Sequence, residues 1–194
     1  MTDKTLFLYI NGLAGKVPVI DGFFRGISND YFAVISCCLI LIWLWFGTRD
    51  ITWRQINQQA VITAMISIGL TSLLVTICNQ FYFRARPFAE LPPGSVHLLF
   101  YRPTDSSFPS NLAAVLFAIA VPIFIKNKVF GSVLLAIAIL GSFGRIYIGI
   151  HYPLDILGGA VFGAVGAMLA FGVMRLISPL SNLLMHWLRK LYLA

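Results

Sequence analysis

Long apolar runs alternate with short polar breaks along this chain, and the breaks hold most of its ionisable groups. Five runs read as helices: Tyr31 to Phe46, Ala60 to Cys78, Leu112 to Ile125, Val129 to Ile148, and Leu154 to Ile177. Several approach the ~20 apolar residues that cross a bilayer as a helix. The first and third are short, so their ends are expected to extend by about a turn.

Ahead of the first run, the segment from Thr5 to Ser28 mixes Leu6, Phe7, Leu8, Ile10, Ile20, Phe23 and Phe24 with Lys16, Asp21 and Arg25. Gly12, Gly15 and Pro18 interrupt it, which predicts two short amphipathic pieces lying at the interface. A sixth, broken span is the alternative. The stretch from Leu6 to Leu13 is broken by Asn11-Gly12 and lacks a basic start, so no cleavable signal peptide is expected. At the other end Leu180, Leu183, Leu184, Trp187, Leu188 and Leu191 recur at helical spacing, with Arg189 and Lys190 off the stripe. Trp187 and Tyr192 suit an interfacial helix. The pattern therefore predicts an all-α integral membrane protein of five transmembrane helices, or six, with interfacial amphipathic helices at the N- and C-termini.

Composition agrees. Of 194 residues, 59% are hydrophobic and 11% charged, outside the range of soluble globular chains. The length suits a single membrane-embedded domain covering residues 1–194. The net charge of +7 does not call for nucleic acid, because the basic residues are spread through loops between spans. Cytoplasmic loops collect Lys and Arg, and topology accounts for the excess. Cys37, Cys38 and Cys78 lie in apolar spans at no metal-site spacing and read as small core hydrophobes.

Parity then places the chemistry. Two spans separate the segment from Asn79 to Asn111 from the segment around Arg145 to Pro153, so both face one compartment. The other loops carry Arg49 and Arg54, Lys126 and Lys128, then Arg175, Arg189 and Lys190. Those fit the cytoplasm, which puts the polar clusters outside an inner, cytoplasmic membrane.

Ionisable groups beside spans are costly and mark sites of binding or reaction. In the stretch Arg145 to Asp155, Pro153 suits the first position of a helix. His151 then precedes the helix and Asp155 sits in its first turn. From there Asp155 is expected to reach one ring nitrogen of His151, leaving the other free as nucleophile or base. In the run Ser107-Phe108-Pro109-Ser110-Asn111, Ser110 is a good N-cap, and the backbone N–H groups beyond it suit a phosphate. Arg84 and Arg86 follow the second span. Guanidinium groups grip phosphate oxygens in pairs, and one of the two is expected instead to snorkel at the membrane surface.

In order and spacing, these three clusters resemble the type-2 phosphatidic acid phosphatase superfamily, and within it the undecaprenyl-diphosphatases of the bacitracin-resistance type. The resemblance covers nearly the whole chain, including Ile10-Asn11-Gly12-Leu13. It implies that His151 attacks phosphorus to form a phosphohistidine and that Asp155 orients it. Arg86, Ser110, Asn111 and Arg145 would hold the phosphate. No metal and no cofactor is implied, and the partners are a lipid phosphate or diphosphate substrate and the bilayer. Three positions depart from the family pattern: Asn79 stands for a lysine, Gly144 for a serine, and Leu112 for the histidine assigned as general acid. Leucine cannot protonate a leaving group. Its loss bears harder on a phosphomonoester, which expels an alkoxide, than on a diphosphate, which expels a phosphate. The expected function is thus a polyprenyl diphosphatase, with a non-catalytic lipid-phosphate binder as alternative. A transporter fits less well, because the charges gather at span ends on one side.

Overall fold

The structure is a computed structural model and describes residues 2–177. The described residues form helices and no strand: α1 (Asp3–Asn11), α2 (Pro18–Ile27), α3 (Asp30–Phe46), α4 (Ile51–Phe81), α5 (Pro87–Glu90), α6 (Asn111–Lys126), α7 (Lys128–Tyr147) and α8 (Pro153–Leu176). The C-terminal stripe from Leu180 to Leu191 lies outside the described residues.

Each of the five apolar runs is a helix, and the breaks supply their caps. Asn29 Oδ1 accepts from the Tyr31 and Phe32 N–H groups at the start of α3, and Asp50 Oδ1 from Trp53 N–H at the start of α4. Asn127 is the single residue between α6 and α7, and its side chain caps α7 through Phe130 N–H. Such side chains satisfy orphan donors that a helix end otherwise leaves bare.

By length and apolar character α4, α7 and α8 can each cross a membrane alone. The pair α2 and α3, bent by 59° where they meet, passes the same test together, as one broken span or a re-entrant loop. At 16 residues α6 is shorter, as its apolar run predicted. The largest difference from the sequence reading is α4, which spans 31 residues and starts well before Ala60. Its early turns look polar in sequence, but two of those side chains find partners in the fold: Asn57 donates to Thr48 Oγ1 and Gln58 to the Trp45 carbonyl. The N-terminal segment forms the two expected short helices. One is less peripheral than expected, since α1 buries Phe7 and Asn11.

The core lies among α3, α4, α6 and α7, around Cys37, Leu41, Leu44, Leu116, Ile119, Ile123 and Leu134. Of the cysteines, Cys37 is core while Cys38 is exposed. In lipid, helices gain little from burying apolar surface against each other, so close approach through small residues takes over. On α8, a Cβ at Gly159 would stand 2.6 Å from the Ser110 carbonyl oxygen, and one at Gly163 2.6 Å from that of Ala114. That contact brings α8 against α6, and with it the His151 loop against the start of α6.

Candidate active site

The chain from α7 to α8 turns within five residues. Gly149 adopts φ +91°, a conformation costly for other residues. The turn lets Ile150 and His151 N–H both point back to the Arg145 carbonyl, at 3.2 and 3.3 Å. His151 is thereby held at the end of the bundle, 4% exposed.

Its ring is held from behind by backbone. His151 Nδ1 lies 2.8 Å from the Ser107 carbonyl oxygen. A carbonyl only accepts, so Nδ1 carries the proton and Nε2 presents a lone pair. Arg86 Nη1 stands 3.3 Å from that Nε2. Burial holds the imidazole below its ordinary pKa, opposed by Asp155 and reinforced by the Arg86 charge.

Nε2 belongs to the wall of a cavity of about 210 Å³, lined by Asp30, Arg86, Tyr101, Pro103, Asp105, Asn111, Leu112, Arg145 and His151. Two guanidinium groups point to it, each with a carboxylate. Arg86 pairs with Asp105 at 2.8 Å and also donates to the Ile150 carbonyl at 3.1 Å. Arg145 pairs with Asp30, which in turn accepts from the Tyr101 hydroxyl at 2.8 Å. Carboxylate and phosphate oxygens make the same kind of bond to arginine, so both arginines are set for an oxyanion.

Four of the six residues singled out from the sequence line this cavity: Arg86, Asn111, Arg145 and His151. Asp155 and Ser110 do not. The carboxylate of Asp155 is 3.7 Å from His151 Nδ1, beyond hydrogen-bond range. The expectation that it fixes the tautomer directly is corrected by the Ser107 carbonyl, which does so. Asp155 is spent on Ser107 Oγ at 2.5 Å, Tyr152 N–H at 2.8 Å and Arg84 Nη1 at 2.7 Å. It supports the residue that supports the ring. Ser110 is fully buried, and its hydroxyl accepts from Ala113 N–H, capping α6. Arg84 does not snorkel; it joins Asp155 to Asp3 and lies 4.2 Å over the Tyr152 ring.

The departures from the family pattern also have structural settings. The place a Cβ at Gly144 would need is filled by Ser28 Oγ, so a serine has no room there. Leu112 lines the cavity from the first turn of α6. Of the titratable side chains that could stand in for a proton donor, Asp105 lines the cavity, whereas His97 is exposed outside it.

The PAP2 superfamily profile matches residues 60–178, more than half of the sequence and including the whole Arg86-to-Asp155 constellation. The chain belongs to the PAP2 superfamily. It is 30% identical to undecaprenyl-diphosphatase BcrC of Bacillus subtilis (strain 168), over 93% of this chain and 89% of that one. It is 33% identical to an undecaprenyl-diphosphatase of Sulfolobus acidocaldarius, over 82% of this chain and 81% of that one. Among solved structures, Aquifex aeolicus LpxE superposes with a TM-score of 0.69 at 28% identity, covering 87% of this chain and 93% of that one. The resemblance drawn from the three motifs is borne out, and this PAP2 protein is a multi-pass membrane protein with relatives that are lipid phosphatases.

The residues missed from sequence are Asp3, Asp30 and Tyr101, and Arg84 and Ser107 were seen without their supporting roles. The available signal was scarcity: the chain has only seven acidic residues. Four of them, Asp3, Asp30, Asp105 and Asp155, form ion pairs with Arg84, Arg86 or Arg145.

Proposed function

We propose that this protein hydrolyses a polyprenyl diphosphate, of the undecaprenyl class, to the monophosphate and inorganic phosphate. The observation that carries the reading is His151 Nε2, unprotonated, on the wall of a cavity flanked by Arg86 and Arg145. In the first step the Nε2 lone pair bonds to the terminal phosphorus as the bridging P–O bond breaks. The electron pair leaves with the lipid monophosphate. Nδ1 keeps its proton on the Ser107 carbonyl, so the ring becomes a phospho-imidazolium. Arg86 and Arg145 exchange their carboxylates for phosphate oxygens, and Asn111 with the α6 N-terminus adds donors. Water then attacks phosphorus, the P–N bond breaks, the ring returns to neutral, and the water protons leave with inorganic phosphate or to solvent.

Leu112 favours a diphosphate over a phosphomonoester, because a phosphate leaves without the proton an alkoxide needs. The Bacillus subtilis and Sulfolobus acidocaldarius relatives both carry the undecaprenyl-diphosphatase name, and neither supports the non-catalytic alternative. The test is phosphate release by the purified protein from undecaprenyl diphosphate and from phosphatidic acid. Faster turnover of the diphosphate is expected; binding of both without release from either would contradict the reading.

The same reading puts the cavity on the extracytoplasmic side of an inner membrane, supported by the basic residues at the opposite ends of the spans. Single cysteines at Lys126, Lys128 and His97, in a background lacking Cys37, Cys38 and Cys78, test it with an impermeant reagent. Labelling of His97→Cys alone in intact cells is expected; labelling at Lys126→Cys or Lys128→Cys would reverse the orientation.

A further inference from the structure

Asp3 opens α1, far along the chain from the motifs and outside the residues matched by the family profile. Its carboxylate nevertheless has two partners beside the catalytic loop. Oδ2 accepts from Arg84 Nη2 at 2.6 Å, and Oδ1 accepts from Leu154 N–H at 3.0 Å, in the first turn of α8. The Asp3 side chain is 12% exposed, so the ion pair is shielded from water. Arg84 is divided between two carboxylates, Asp3 and Asp155. The path then continues from Asp155 to Ser107 Oγ at 2.5 Å, and from the Ser107 carbonyl to His151 Nδ1 at 2.8 Å. The first helix is thus joined to the back of the imidazole by successive polar contacts.

The charges along this path matter as much as the bonds. Arg84 contributes one positive charge and Asp3 with Asp155 two negative ones, leaving one net negative charge behind His151. In front of the ring, Arg86 and Arg145 are paired with Asp105 and Asp30. Phosphoryl transfer turns the ring cationic, and in a water-poor setting a fixed negative charge behind it lowers the energy of that state.

We propose that Asp3 is a positioning residue for His151: through Arg84 and Asp155 it holds the Ser107 carbonyl against Nδ1 and supplies the charge that balances the phospho-imidazolium. This rests on His151 being the nucleophile. The competing role is simple docking of α1, and a second strap separates the two. Lys4 pairs with Glu90 at 2.6 Å, and Glu90 also accepts from the Tyr152 hydroxyl at 2.7 Å. That strap ties α1 to the same region with no hydrogen bond or ion pair to Arg84, which meets it only through the face of the Tyr152 ring, and with Lys4 half exposed it should add little stability.

The experiment compares Asp3→Asn, Asp3→Glu and Lys4→Met in the full chain, with two readouts. One is steady-state hydrolysis of polyprenyl diphosphate. The other is the His151 imidazole titration by NMR, with His97 and His186 replaced, which needs no substrate. Asp3→Asn should lower kcat about tenfold with KM unchanged, the equivalent of about one pKa unit in how the charged ring is held. It should also move the His151 titration to lower pH, because a negative charge that favoured the imidazolium is gone. Asp3→Glu should restore most of both, and Lys4→Met should alter neither. An unmoved titration in Asp3→Asn, or equal losses in Asp3→Asn and Lys4→Met, would overturn the proposal. A shifted titration in a chain that hydrolyses nothing would count against the proposed function and leave Asp3 in its role.

Discussion

Where α6 begins and α7 ends, the bundle buries guanidinium groups: Arg84, Arg86 and Arg145 are largely withdrawn from solvent. Each pairs with a carboxylate, that of Asp155 fully buried and those of Asp105 and Asp30 about half exposed. Where α6 ends and α7 begins, it buries neutral amides. Asn127 donates to Asn57 Oδ1 at 3.0 Å, and Asn57 donates to Thr48 Oγ1 at 3.0 Å. Of the charges at that second end, those on Arg49, Lys126 and Lys128 stay exposed, while Arg54 is partly buried. Six of the seven acidic residues, all but Asp50, have partners at the first end. Both ends tie helices together, so stability alone does not require ions. A buried ion pair regains little beyond its desolvation cost. An end that places three guanidinium groups in the fold suits a charged ligand, and the neutral end shows what holding the helices needs.

The comparison predicts where substitutions will separate activity from stability. The largest effect belongs to His151→Ala, which should cut hydrolysis by on the order of 10⁴-fold or more while the protein still folds and inserts. Retained turnover would remove the phosphohistidine route. Next comes Leu112→His, which restores a proton donor on the cavity wall. It should raise phosphatidic acid hydrolysis within the ~10²–10⁴-fold range of a positioned acid, and polyprenyl diphosphate hydrolysis less. Equal gains on both substrates would mean that the change acts on binding or packing.

Asp155→Asn should leave a measurable remnant of activity, because the Ser107 carbonyl still faces Nδ1. Its pH profile sharpens the point. Burial already holds His151 below its ordinary value of 6.5, so the ring stays neutral and competent as pH falls through that value. Activity is lost only below it. Removing the Asp155 charge withdraws a group that favours the imidazolium, so the acid limb of kcat/KM should move further down. A limb moving up would contradict the network as described. The smallest effect on turnover belongs to the neutral end. Asn57→Ala should cost about 1–2 kcal/mol of stability by leaving Asn127 without its partner, with kcat per folded molecule unchanged. A fall in kcat there would mean that the two ends are coupled.

How much of this was legible follows from the same contrast. Span positions could be read because apolar runs are long, and α4 was cut short only because its polar first turns resemble a loop until Asn57 and Gln58 find partners. His151, Arg86 and Arg145 could be read because charge beside a span is rare. The division of labour between Arg84 and Arg86 could not, since two arginines one residue apart look equivalent until the fold points one at Asp155 and the other at the cavity. Asp155 was placed near His151 by its spacing, but Tyr152 N–H, Arg84 and Ser107 draw its oxygens away from the ring. The Ser107 carbonyl had no signal, because a backbone acceptor has no letter of its own.

The most direct measurement uses polyprenyl diphosphate radiolabelled at its terminal phosphate, mixed with the protein and quenched during the first turnover. The account predicts label on the protein in an acid-labile, alkali-stable linkage at His151, absent in His151→Ala and accumulating before inorganic phosphate. Phosphate release with no protein-bound label at any time, or label that persists in His151→Ala, would contradict it.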